Sequence, residues 1–189
     1  MGRTVLVVLT VTAGLGRSAA AAPKWRGPVA KNRASHYVVE PLASDTLRPS
    51  ERTFLEKAAA LSREEMRLAR LAVSQAAGSD VKAVAQQIAT DHQQLNDSVE
   101  GLRRKKGAAV EAPVDIVSEA SLKLAQKNGA DFDRAFVRVM ADAQAEVVIL
   151  FERSMSDAKD TDVRELLGAY LPVLRDHQNK ISELRKALE

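Results

Sequence analysis

The chain has 189 residues, 46% of them hydrophobic but only 4% aromatic, with no cysteine and a formal charge of +3. This excludes a disulfide scaffold and a cysteine nucleophile, and the length suits one domain with a sizeable core. Ala, Leu, Val, Glu, Lys and Arg dominate without strand-type alternation, so an all-α protein is expected.

Residues 1–21 read as an export signal. Arg3 opens it, "TVLVVLTVTAGL" supplies an apolar run and "RSAAAAP" offers small residues for cleavage. Cleavage is expected after Ala21, because cutting after Ala22 would leave Pro23 at the new terminus. The alternative is a retained anchor, but the run is shorter than the roughly 20 residues that span a bilayer. Loss of Arg3 and Arg17 lowers the formal charge from +3 to +1. The mature protein is thus expected to be exported, periplasmic or otherwise extracytoplasmic, without a transmembrane span and with an envelope protein as its partner class.

Residues 22–49 carry Pro23, Pro28, Pro41 and Pro49, show no helical period and read as an extended tail. His36 lies in it and is assigned no role. The domain proper is placed at 50–189.

Four long helices are predicted there. The first covers 50–75, with Pro49 and Ser50 as start signals and "AAGSD" as the stop. The second starts from Ser79 as N-cap and runs to Lys105, before Gly107. The basic run Arg103 to Lys106 falls at its end, where cations complement the helix dipole. Nucleic acid is not expected as a partner, since no broad basic face with stacking aromatics is present. The third helix covers 131–157, capped by the Asp131 carboxylate, and the fourth covers 161–188, entered through "KDTD".

Short connections make the first and second helices one antiparallel hairpin, and the third and fourth another. Between them lies a long crossover with Pro113 and a short helical stretch, "DIVSEASLKLAQKNG". Two hairpins joined by one long crossover is the ferritin-like form of the four-helix bundle.

The tripeptide Asp-His-Gln occurs twice, at 91–93 and 176–178, and uses two of the three histidines. Positions sharing a face with His92 are Val81, Val84, Ala85, Ile88, Leu95 and Val99. Those sharing a face with His177 are Leu166, Leu167, Tyr170, Val173, Leu174, Ile181, Leu184 and Leu188. Both histidines are therefore predicted on buried stripes. On the first helix Glu65 interrupts the stripe Phe54, Ala58, Leu61, Leu68, Ala72. On the third, Gln144 interrupts Phe136, Val137, Met140, Val147, Val148, Phe151, Met155. All four polar residues lie roughly half-way along their helices, and with axes about 8–10 Å apart they can converge on one point. Pro172, inside the fourth helix, is expected to kink it ahead of His177, either aiming the histidine or bending the helix around the core.

One carboxylate and two imidazoles form a recognised set for a divalent transition metal, here Glu65, His92 and His177, with Gln144 as a weak fourth ligand or a supporting partner. The alternative is a structural or interaction module of the envelope, in which the same residues form a hydrogen-bonded layer with no ligand. A dinuclear carboxylate centre is disfavoured, because the Glu-x-x-His pairs it needs are replaced by Ala89 and Leu174 one turn before the histidines. No phosphate loop or serine triad is present, and no catalytic residue is singled out.

The stretches "SREEMRLARLAVSQAAGSDVKAVAQQIATDHQQLN", "GADFDRAFVRVMADAQAEVVILFE" and "LPVLRDHQNKISEL" together resemble a bacterial exported family, domain of unknown function 4142, often labelled predicted outer membrane protein. The resemblance spans Phe54 to Leu188. It implies a ferritin-like bundle and an extracytoplasmic location, and it matches the family's helix-1 glutamate to Glu65 and its two helix histidines to His92 and His177. The family pattern has a further histidine that, counted from Phe132 or from Phe151, falls at Gln144. Glutamine there replaces a strong nitrogen donor by a weak amide.

Overall fold

The computed structural model describes residues 47–108 and 118–189. The predicted leader, most of the 22–49 segment with His36, and Pro113 lie outside the described residues. Among the described residues there are five helices and no strand: α1 (Pro49–Gln75), α2 (Ser79–Lys105), α3 (Glu119–Ala125), α4 (Gly129–Asp157) and α5 (Thr161–Leu188). None of these helices is long and apolar enough to cross a membrane.

The predicted bounds shift little, and the shifts have local causes. Pro49 belongs to α1, as its fixed φ suits the first helical position; Arg48 before it is extended, and Leu47 is buried. Gly78 rather than Ser79 caps α2. The N-cap of α4 is Asn128, so Asp131 sits in the first turn, where it binds Arg134 at 2.6 Å instead of capping. Gly129 takes φ 57, a left-handed conformation that turns the chain out of α3. Asp160 caps α5 by accepting the Val163 N–H at 3.2 Å. Helix α5 continues through Pro172, which is exposed, so the missing donor and the ring bulk fall on the solvent side.

Cross-helix pairs give the directions. Arg63 meets Glu100 and Arg70 meets Gln93, so α1 and α2 are antiparallel. Phe54 packs edge-on against Phe151, ring centroids 5.2 Å apart, while Glu65 meets Gln144, so α1 and α4 are antiparallel too. Ser98 meets Tyr170 and Gln87 meets Lys180, which makes α2 and α5 antiparallel. Helix α3 docks beside α1, where Ser121 donates to Glu64 Oε1 at 2.9 Å and Ser118 also binds that oxygen.

Part of the basic run at the end of α2 pairs with the start of α5. Lys106, its side chain 6% exposed, reaches Asp160 and Asp162 at 2.8 Å each, and Lys105 reaches Asp162 at 2.7 Å. Gly107, at φ 64, then ends the helix.

The apolar core is divided in two. One cluster holds Phe54, Leu55, Leu95, Val99, Phe151, Leu167 and Leu174. The other holds Leu68, Ile88, Phe132, Phe136, Met140 and Ile181. On every long helix the gap between the clusters contains a buried residue with a polar head group, Glu65, His92, Gln144 and His177, and on α1 Ser62 is buried there as well.

Candidate metal centre

Helical spacing places these four side chains at one height. Each sits where its helix presents its apolar stripe, so burial is inherited from neighbours a turn above and below. Glu65 is 1% exposed and the other three are fully buried.

Three of the four head groups meet at one point. His92 Nε2 lies 3.0 Å from Glu65 Oε2. Gln144 Nε2 lies 2.5 Å from the same oxygen and 3.3 Å from His92 Nε2. A carboxylate can only accept, so His92 Nε2–H and the Gln144 amide both donate to Glu65 Oε2. This arrangement keeps a buried carboxylate from standing alone, which would be costly.

His177 is brought alongside but is turned elsewhere. Its ring centroid is 5.5 Å from that of His92, the rings tilted by 32°. Its Nε2 lies 2.8 Å from Asp91 Oδ2, a carboxylate of α2 whose side chain is 25% exposed. Burial holds the His177 pKa below the usual 6.5; the bond to Asp91 pulls upward without prevailing, and nearby His92 adds to the lowering. The ring is therefore neutral at neutral pH.

Glu65, His92 and Gln144 are thus assembled, and His177 shares their layer through a different partner. Among the described residues no three His, Cys, Asp or Glu side chains are gathered closely enough to hold a metal ion. Two causes are visible: the third nitrogen position is an amide at Gln144, and His177 Nε2 is engaged by Asp91.

The layer retains unused capacity. Glu65 Oε1, His92 Nδ1, Gln144 Oε1 and His177 Nδ1 are all buried without a hydrogen-bond partner. About one turn away, Ser62 Oγ and Asn96 Oδ1 are in the same condition. Buried polar atoms are normally satisfied, so such a concentration around one layer suits an additional ion or internal water.

Carboxylate and imidazole suit a transition metal in chemistry, while in spacing only Glu65 and His92 of the layer's four stand as two ligands of one ion would. A tetrahedral zinc ion with bonds of about 2.0 Å holds its donors about 3.3 Å apart. Glu65 Oε2 and His92 Nε2, 3.0 Å apart, come near that spacing, whereas the Gln144 atom beside them is the amide nitrogen, a hydrogen-bond donor that does not ligate. The amide oxygen, which would suit a metal better than the nitrogen, is the unpartnered Gln144 Oε1.

Sequence reasoning passed over Asp91. The signal was inside the repeated tripeptide, because a residue one position before a buried histidine sits at the edge of the stripe, close to the next helix.

Comparison with known proteins places the chain. No curated protein matches it. Among solved structures, a DUF305 fragment from Deinococcus radiodurans aligns with TM-score 0.68 and 14% identity over 75% of this chain and 99% of that one. CopM in the Ag-bound form aligns with TM-score 0.61 and 17% identity over 72% of this chain and 96% of that one. At these identities the likeness is one of helical fold. The profile of a domain of unknown function, DUF4142, matches residues 38–184, which takes in α1 to α4 and most of α5. The chain belongs to the DUF4142 family.

Proposed function

We propose that the protein is an exported, extracytoplasmic binding protein whose ferritin-like four-helix bundle takes up one divalent transition metal in its core layer. Glu65 and His92 hold the ion, with Gln144 and His177 completing the set. The observation that carries this reading is the approach of Glu65 Oε2 and His92 Nε2 to 3.0 Å in a buried layer. The unpartnered atoms around it support the same reading. Two hairpins packed antiparallel across a long crossover support the ferritin-like topology. The apolar run near the N-terminus supports export.

Imidazole and carboxylate together suit zinc, copper and nickel. A protein of similar fold is known in a silver-bound form, so Ag⁺ belongs in the panel of ions tested.

A second reading rests on a specific observation: Glu65 Oε2 already accepts from both His92 and Gln144, so that oxygen is satisfied without a ligand. It then serves to fix helix register in a structural or interaction module. Elemental analysis separates the two. The protein and a His92→Ala/His177→Ala variant are equilibrated with each ion at neutral pH and desalted. About one ion per chain in the parent and none in the variant supports the metal site, while an ion-free parent leaves the structural reading.

A further inference from the structure

The Asp91–His177 contact crosses from one hairpin to the other and joins the acid of the first Asp-His-Gln copy to the imidazole of the second, Nε2 to Oδ2 at 2.8 Å. It is held from both sides. Tyr170 binds Ser98 at 2.8 Å two turns toward one end, and Lys180 binds Gln87 at 2.8 Å about one turn toward the other. Lys180 also pairs with Asp176 at 2.7 Å. These rungs flank the carboxylate–imidazole pair along the seam between α2 and α5.

The proton position follows from chemistry. A carboxylate has no hydrogen to give, so Nε2 must carry the proton in this bond. The other ring nitrogen, Nδ1, is buried and has no acceptor nearby. A proton there would be an unpaired buried donor on a charged ring, which is the costlier state. Asp91 is suited to its role because its side chain keeps 25% exposure and so retains partial hydration, while the ring it holds is wholly buried.

We propose that Asp91 is a positioning residue for His177, fixing the imidazole as the Nε2–H tautomer and leaving the buried Nδ1 without a proton, its lone pair available to an ion. The role in metal uptake rests on the metal reading above; the tautomer does not. A carboxylate behind a ligating histidine fixes ring orientation and raises ligand basicity, and its removal typically weakens metal binding by roughly 10- to 100-fold. Asp91 thereby joins the site through His177, while His92 and Gln144 both donate to Glu65.

The test uses ¹⁵N-labelled protein and long-range imidazole correlation spectra at neutral pH, first without metal. His177 is expected as the Nε2–H tautomer in the parent, as a mixture in Asp91→Ala, and again as Nε2–H in Asp91→Asn, whose amide oxygen still accepts. A parent His177 protonated at Nδ1, or a tautomer unchanged in Asp91→Ala, overturns the proposal. Zn²⁺ is then added. A shift at His177 Nδ1, with Asp91→Ala binding Zn²⁺ at least tenfold more weakly, supports the role in uptake, and a shift at Nε2 instead overturns it. Absence of any Zn²⁺ response in the parent removes the metal reading and the uptake role together, while the metal-free tautomer spectra still decide the positioning of the ring.

Discussion

Glu51 and Asp133 perform the same task on opposite hairpins. Glu51, at the start of α1, accepts the Lys159 and Asp160 N–H groups of the α4–α5 turn through Oε1 at 2.8 and 2.9 Å. Asp133, at the start of α4, accepts the Ala77 and Gly78 N–H groups of the α1–α2 turn at 2.9 and 2.8 Å. Each hairpin thus closes the turn of the other with a buried carboxylate, and each satisfies backbone donors that a helix start leaves open.

Loss of the Glu51 charge is expected to lower stability and remove a specific part of its pH dependence. Burial alone would raise the Glu51 pKa, but the N–H groups of Asp160, Arg48 and Lys159, with the Arg48 charge, together hold it below 4.5. A lowered carboxylate pKa stabilises the fold fully above the unfolded value near 4.5, and that contribution disappears as pH falls through the lower folded value. Urea midpoints measured from pH 3 to pH 7 should therefore show a smaller acid-side decline for Glu51→Gln than for the parent. At neutral pH the variant should lose about 1–2 kcal/mol, because a charged acceptor is replaced by a neutral one. Parallel curves would contradict the assignment.

Asp133→Ala should cost about 1–3 kcal/mol by leaving two turn donors without an acceptor. Gly78→Ala should cost less, since its Cβ would meet Asp133 Oδ2 at 3.1 Å and the carboxylate need move only slightly. Glu51 and Asp133 lie near opposite ends of the 27-residue α1, about 40 Å apart by helix rise. The Glu51→Ala and Asp133→Ala losses are accordingly expected to add within about 0.5 kcal/mol in a double variant. Chemical unfolding of the four proteins gives the comparison.

Glu65→Leu is expected to destabilise the protein by about 2–5 kcal/mol despite adding apolar surface, because His92 Nε2–H and the Gln144 amide lose a shared buried acceptor. Denaturant unfolding reads the loss. The triple variant Glu65→Leu/His92→Leu/Gln144→Leu, with no orphaned donors in that triangle, should recover much of it.

Gln144→His is expected to strengthen metal binding by tenfold or more, as an amide gives way to an imidazole in the same buried position. His92→Ala and His177→Ala should each abolish it. Competition titrations with a chromogenic chelator measure all three. Equal affinity across the set would remove the site.

How much was legible in advance differs between helix and site. The long helices were readable to within a residue or two because apolar residues recur at helical spacing and stop signals such as Gly107 are local. The same spacing identified Glu65, His92, Gln144 and His177 as buried, and each is 1% exposed or less. Local sequence could not assign the caps correctly at Gly78 and Asn128, since a loop backbone decides which residue enters the helix first.

What the sequence determined by itself is therefore periodic: where the helices run, which faces are apolar, and which polar residue breaks each face. Pairing across helices was left to the tertiary structure. His177 bonds Asp91 and not Glu65, and the side chains of Glu51, Asp133 and Lys106, for which the sequence offered no partner, are buried against the opposite hairpin. The physical reason is that helical period specifies the face a residue occupies, whereas the partner of a carboxylate or an imidazole depends on the register between helices, which only packing of the whole bundle sets.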